Sequence, residues 1–408
     1  MKCIFLFCII LFACISQSGY SQFIPLLPTQ PTQPTQPTQQ QIPTIEVVPS
    51  RITYGNVRLS DIIESIEYIP LETTDKSLIG RIHLFDISDS YIVVSCAQTR
   101  QVFLFSITGR FIGRVGRQGQ GPGEYASVGA IFIDEERERV LIVSNHQRRI
   151  LTYNLSGEFI GYILMDGDTT EHPGHYRLFH NNHFFIATDN FNGNVPFTYN
   201  IRDIDLQLVA EDIRTVPFER GPNINRPAGG VFPSFYLFNN KVHVRAPFLN
   251  DTIFSIGDDF SFTPRFAVCA GRLAVSISLL TEPDGGRFFS RVHDFITFSQ
   301  FYETADKLLI SYGFRRNRYF AYFDKNTERL YHFRSESGIP NNFDGGVDFW
   351  PARQDNLVWY AFFDAYYLIE NSGGITPVGG TEAVQNFNRL IERLDEDDNP
   401  VIVIATLK

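Results

Sequence analysis

The segment Phe103–Gly113, F-L-F-S-I-T-G-R-F-I-G, recurs as Leu151–Gly161, L-T-Y-N-L-S-G-E-F-I-G. Each copy sets a small-Gly turn between apolar runs, the pattern of a tight hairpin. Each copy also sits inside a larger unit of four strand-like runs. In the first unit these are Arg81–Ile87, Tyr91–Cys96, Gln101–Ser106 and Arg110–Val115. In the second they are Gly129–Asp134, Arg139–Ser144, Arg149–Asn154 and Glu158–Leu164. A unit of four short strands returning about every forty residues has the length of a propeller blade.

The two units are joined by Val115–Tyr125, V-G-R-Q-G-Q-G-P-G-E-Y. Glycine enters the left-handed region without strain, so this spacing of glycines marks a sharply folded connection. Weaker units follow near Tyr176–Ile213, Val231–Val268 and His293–Arg334, and from Val347 onward. The last unit carries a helix pattern over Thr381–Leu394. Thr381 is placed to cap it, and Val384, Phe387, Leu390, Ile391 and Leu394 recur at helical spacing. The apolar run Val401–Leu407 then needs a partner strand, and Ile66–Leu71 from the other end of the chain is the natural one.

The chain has 408 residues, of which 14% are aromatic, with 38 Phe and 18 Tyr. That excess suits pleated, half-buried surfaces, and closed β architectures of this length are often one domain. The formal net charge is −10 and no basic cluster stands out. Nucleic acid and anionic lipid, which need concentrated Lys and Arg, are therefore excluded as partners at this stage.

Residues 1–21 read as an export signal: Lys2 precedes the apolar run Cys3–Ile15, which is too short to span a bilayer. Two cleavage patterns fit. Leu11-Phe12-Ala13-Cys14 resembles a lipobox, with Cys14 as the lipidated residue, and Gly19-Tyr20-Ser21 fits the small-x-small rule. Residues 22–50 read as a linker, in which Pro28–Gln41 repeats P-T-Q. Proline at every third position favours polyproline II, with a reach of roughly 40 Å at about 3.1 Å per residue. The folded domain is expected over residues 51–408.

Together with the glycine loop, several pieces resemble the Bacteroides-type six-bladed β-propeller family of exported proteins and lipoproteins. They are Ile69-Pro70-Leu71-Glu72-Thr73, Leu78-Ile79-Gly80-Arg81-Ile82, Leu249–Phe254, Asp344-Gly345-Gly346, Phe349-Trp350-Pro351 and Asp398-Asn399-Pro400-Val401. The glycine loop also resembles the inter-blade loop of NHL-type repeats. The resemblance implies an all-β fold of six four-stranded antiparallel blades, a short helix in the last blade, and an outer-membrane or periplasmic address. It implies no catalytic residues. On a six-bladed ring Cys96 and Cys269 fall in blades one and four, so they are expected as buried free thiols rather than a disulfide.

Three regions are candidate ligand sites. In the glycine loop, Arg117, Gln118, Glu124 and Tyr125 lie beside backbone N–H groups able to form an anion nest; the simpler reading is a blade connection. Arg220–Tyr236 supplies Asn225, Arg226 and Tyr236, and Gly338–Trp350 supplies Asn342, Asp344, Asp348 and Trp350. Amides, carboxylates and rings on loops that converge at one channel mouth suit a glycan or peptide. His172, His175, His180 and His183 invite a metal. An intervening strand would hold the two pairs roughly 16 Å apart at about 3.3 Å per residue, so no metal site is expected. No nucleophile, zinc or phosphate-loop motif is present, and no cofactor is expected. The expectation is a monomeric, non-enzymatic binding or interaction protein whose partner is a glycan, a peptide or an envelope protein. The rivals are a metal-assisted hydrolase or lyase acting on a glycan or lactone at the same mouth, and a structural subunit of an envelope assembly.

Overall fold

The computed structural model describes residues 42–165, 175–187, 199–212, 234–245, 251–282, 284–378 and 380–408. The export signal, Cys14, the P-T-Q repeat, His172, Asn225 and Arg226 lie outside the described residues. The compact unit is Ile42–Lys408. It begins upstream of the expected Arg51 boundary because Thr44–Glu46 already forms a strand.

The strands are β1 (Thr44–Glu46), β2 (Ile63–Pro70), β3 (Ile82–Ile87), β4 (Tyr91–Cys96), β5 (Val102–Ser106), β6 (Phe111–Arg114), β7 (Ala130–Asp134), β8 (Arg139–Ser144), β9 (Arg149–Asn154), β10 (Phe159–Leu164), β11 (His175–His180), β12 (His183–Ala187), β13 (Tyr199–Asp203), β14 (Leu208–Asp212), β15 (Ser234–Phe238), β16 (Lys241–Arg245), β17 (Thr252–Ile256), β18 (Phe262–Cys269), β19 (Thr297–Glu303), β20 (Lys307–Phe314), β21 (Asn317–Asp324), β22 (Arg329–His332), β23 (Arg353–Asp355), β24 (Val358–Phe363) and β25 (Val401–Leu407). Four separate four-stranded antiparallel sheets hold β3–β6, β7–β10, β11–β14 and β19–β22. A nine-stranded sheet runs β1-β18-β17-β16-β15-β23-β24-β25-β2. Six separate four-stranded sheets were expected, and four are found among the described residues. The difference has two causes: a single parallel pair, Leu237 with Asp355, links β15 to β23, and β1 adds to the outer edge of β18. The fold is all-β and propeller-like.

Burial follows position in each sheet. The middle strands β4, β5, β8 and β9 are buried at nearly every residue, whereas the outer strands β6 and β10 alternate. A middle strand packed on both faces reads as a continuous apolar run, as in I-V-V-S-C and V-F-L-F. The core is accordingly layered between successive sheets. One layer joins Val93, Val102 and Leu104 to Ile131, Ile142 and Leu151. Another joins Ile79, Ile92 and Phe103 to Ile69 and Ile402.

The repeated hairpin glycine has a steric cause. Gly109 and Gly157 sit at φ +82° and +83°, and a Cβ there would meet the carbonyl oxygens of Pro70 and Arg114 at 2.1 and 2.0 Å. Each hairpin thus leans on the end of the preceding outer strand. Backbone bonds seal both joints: Glu72 N–H donates to Gly109 O at 2.8 Å, and Gly116 N–H to Gly157 O at 3.0 Å.

The chain ends close the fold. β2 pairs antiparallel with β25 from Ile63 opposite Leu407 to Pro70 opposite Val401, the partner expected from sequence. Asn399, 1% exposed, locks this joint. Its Oδ1 accepts from Ile79 N–H at 2.7 Å, and its Nδ2 donates to Glu72 O and Ser77 O, each at 2.8 Å. The helix between β24 and β25 spans Thr381–Ile391, shorter than expected, and its cap position is Gly380 rather than Thr381. Its Phe387 packs on Tyr68 of β2, ring centroids 5.0 Å apart. Among the described residues four further α-helices were not anticipated: Leu59–Ile62, Ile277–Leu280, Gly285–Val292 and Ala365–Asn371. Cys96 is a buried free thiol, while Cys269 is free but only half-buried.

Asn399→Asp turns a carboxylate oxygen toward two carbonyls that the amide now satisfies. It is expected to cost about 1–3 kcal/mol, the penalty of buried unmatched polar groups, read as a lowered urea midpoint.

Candidate functional site

The first strands of five units line one cavity of about 290 Å³. β3 contributes His83, Phe85 and Asp86, and β7 contributes Ala130 and Phe132. Tyr176, Arg177 and Phe179 come from β11, Phe235 and Tyr236 from β15, and Arg353 and Gln354 from β23. A second cavity of about 340 Å³ lies where β3 and β7 begin, bounded by Arg81, His83, Ser95, Cys96, Ala97, Arg100, Ser127 and Val128. His83 borders both.

Ion pairs tie the channel wall together. Asp86 pairs with Arg353, and its Oδ2 accepts from Ile133 N–H at 2.7 Å. One carboxylate thereby joins β3, β7 and β23. Below the cavity Glu303 is fully buried. It accepts from Lys325 Nζ at 2.6 Å, Arg265 Nη2 at 2.5 Å and Tyr236 Oη at 3.1 Å. Gln354 completes the cluster, accepting from Glu303 N–H at 2.8 Å and donating to Glu303 O at 2.6 Å. Burial alone would raise the Glu303 carboxyl, but Arg265 and Lys325 outweigh it and hold the group below its ordinary range. Burial, helped by the Glu303 charge, pushes the Tyr236 phenol well up, so Tyr236 is a neutral donor. His243 stacks on Tyr236 with centroids 4.9 Å apart, and burial lowers it to about 4. His332, bonded to Tyr312 Oη at 2.7 Å, is likewise lowered by burial to about 4.

Of the candidates named from sequence, Tyr236 lines the channel cavity. The glycine loop is closed on itself. Arg117, 81% exposed, pairs with Glu124 at 2.5 Å, and Glu124 Oε2 accepts from Gly121 N–H at 2.8 Å. The acid thus occupies the backbone nest that an external anion would need. Gln118 bridges to Tyr125, whose buried hydroxyl accepts from Val102 N–H at 3.2 Å. In the loop before β23, Asn342 Oδ1 accepts from Ser60 N–H at 3.1 Å. Asp344 Oδ1 accepts from Asn341 Nδ2 at 2.8 Å and Gly346 N–H at 2.9 Å, and burial raises its carboxyl. Asp348 accepts from Ser335 Oγ and from the Asn341 N–H, so Asn341 donates to both aspartates. Trp350 is wedged against Tyr302, Phe320 and Phe333, and its Nε1 donates to Gln300 Oε1 at 3.0 Å. His180 and His183 face each other across the β11–β12 turn, and among the described residues no group of three or more His, Cys, Asp or Glu is placed to hold a metal.

The channel residues His83, Asp86, Arg177 and Arg353 escaped the sequence reading. Their signal was there: each is a charged or titratable residue on the first strand of a unit, in H-L-F-D, Y-R-L-F and R-Q-D. First strands line the channel, and these four residues border its cavities, whereas Asp355 on the same strand as Arg353 does not.

Propeller-like β folds with an inner channel thus define the class. The chain belongs to the family described as "Domain of unknown function (DUF4934)", which matches residues 42–406. No curated protein matches it. It is similar to a solved structure of a protein described as exported, from Bacteroides fragilis, at 17% identity and a TM-score of 0.63, covering 90% of this chain and 100% of that one. At that identity the likeness bears on fold alone. A DUF4221 family member from Bacteroides vulgatus shows 11% identity over 85% of this chain and 97% of its own, with a TM-score of 0.47, too slight to argue from.

Glu303→Ala leaves Arg265 and Lys325 without their shared carboxylate and is expected to destabilise the fold by about 3–5 kcal/mol in urea titrations. His243 and His332 carry folded values near 4, below the ordinary histidine value of about 6.5. Their neutral forms are favoured by folding, so their contribution is full above about pH 6.5 and is lost as pH falls toward 4. Melting temperature should therefore drop across that window, and His332→Gln should flatten the drop.

Proposed function

We propose that this chain is an exported, non-enzymatic binding protein whose ligand enters the channel where the first strands begin. The observation that carries the reading is the cavity of about 290 Å³, walled by rings and by polar groups from five units and bordered by a second cavity at its mouth. A concave, ring-lined site with a few convergent polar groups is what small-ligand recognition uses. In this reading the nine-stranded sheet functions as two blades, β15–β18 and β23-β24-β25-β2, which makes six around the channel. Export is supported by the apolar N-terminal run and by the likeness to the exported Bacteroides fragilis protein. Cys14 is the proposed lipidation residue, residues 22–41 a spacer, and the protein a monomer. Asn342, Asp344, Asp348 and Trp350 hold the loop before β23 in place, while Arg117, Gln118, Glu124 and Tyr125 hold a blade connection.

The test is a thermal-shift screen of the purified protein against glycans and peptides, repeated with Ala352→Trp. Ala352 is exposed and borders the cavity, so an indole there obstructs the channel with little effect on folding. A ligand at a hundredfold excess over its Kd stabilises by about 2.7 kcal/mol. That shift is expected in the wild type and absent in Ala352→Trp; a shift that survives the substitution overturns the channel site.

A further inference from the structure

The chain as a whole carries a net charge of −10, yet the described residues that border its two adjoining cavities include Arg81, Arg100, Arg177 and Arg353 and one acid, Asp86. Asp86 is already engaged by Arg353. Asp355 lies 3.8 Å from Arg353, and Asp364 is within electrostatic reach of Arg81, so acids are near the wall without bordering the cavities. Arg81, His83 and Arg100 are exposed at the mouth, and among the described residues none has a side-chain hydrogen bond or an acidic partner at ion-pair distance.

An exposed arginine on a convex surface needs no explanation, because water satisfies it. These three groups instead converge on one concavity. A cleft lined by one sign of charge concentrates its field and draws in ions of the opposite sign. Behind them, past His83, the wall turns to rings: Phe85, Phe132, Phe179, Phe235 and Phe362. A guanidinium is matched to carboxylate, phosphate and sulfate by its fixed fork of donors. Ring walls take a flat or apolar body. The cavity volume admits only a small ligand, and the negative charge of the rest of the surface repels an extended polyanion.

We propose that the channel takes a small ring-bearing organic anion, with its carboxylate, phosphate or sulfate at Arg81, His83 and Arg100 and its ring among the channel phenylalanines. This deepens the channel-binding reading above and rests on it.

The test uses a matched pair of probes on the whole protein: 8-anilinonaphthalene-1-sulfonate and its uncharged counterpart N-phenyl-1-naphthylamine. The sulfonate is expected to bind saturably at a single site, more weakly as salt rises, and at least tenfold more weakly in the Arg81→Ala/Arg100→Ala variant. Binding of the uncharged probe should not change in that variant. Both arginines are exposed, so the variant should fold, and its melting curve checks this. Benzoate, phenyl phosphate and phenyl sulfate are then used as competitors. Displacement by any of them supports the proposal and identifies the head group, and displacement by none overturns it. Unchanged sulfonate affinity in the double variant also overturns it, as does equal wild-type affinity for the two probes. Ala352→Trp separates the two readings. If it expels both probes while the arginine variant expels neither, only the anion assignment fails. If both probes still bind, the channel itself is not the site.

Discussion

A ring of sheets holds together only if its last member closes on its first, and here closure falls to the two ends of the chain. β25 lies between β24 and β2, and β2 precedes every repeated unit, so each covers an edge the other would leave open. Their antiparallel pairing completes the sheet that also holds β23 and β24. Asn399 then fixes that sheet to the lead-in of the next by three bonds to Ile79, Glu72 and Ser77. Everything lining the channel depends on this joint. Arg353 sits on the closing sheet and reaches Asp86 on its neighbour, so a slip of β2 against β25 would also displace the channel wall.

Charge does similar work deeper in. Glu303 draws Arg265 of β18 and Lys325 of the turn after β21, 38 and 22 residues distant, together with Tyr236 and Gln354. A buried carboxylate with two cations and one neutral donor, Tyr236, has its charge and hydrogen-bonding capacity met, which is what makes its burial tolerable, while Gln354 satisfies the Glu303 backbone. It joins the β19–β22 sheet to strands β15, β18 and β23 of the nine-stranded sheet, beside the Leu237–Asp355 pair that links β15 to β23. The same fusion is why the sheet count departs from the repeat.

Local features were legible in the sequence. Tyr91–Cys96, Arg139–Ser144, Arg149–Asn154 and Val401–Leu407 fall where their apolar runs place them, and the hairpin glycines sit where a side chain would strike a neighbouring carbonyl. The helix Gly285–Val292 was missed because a Gly-Gly start argues for a turn, although Asp284 caps it with bonds to Gly286 and Arg287. The channel was harder to read. Alternation tells which face of a strand is apolar, not which strand faces the axis, and the cluster around Glu303 is assembled from residues with no spacing in common. The glycine loop misled for a related reason: its open backbone suggested a vacant anion nest, while Glu124, three residues on from Gly121, fills it.

The placement of β1 has a mechanical consequence. This three-residue strand lies parallel on the outer edge of β18, while the closing strand β2 begins only at Ile63. Force transmitted through the N-terminal segment meets β1 first. Its three pairs can peel from a sheet that keeps eight strands without it, and the bonds that tie Thr53 and Gly55 to His332 and Leu59 to Pro340 must then break before β2 is loaded. The short edge strand is thus a sacrificial link, which can yield to a pull while the ring remains shut.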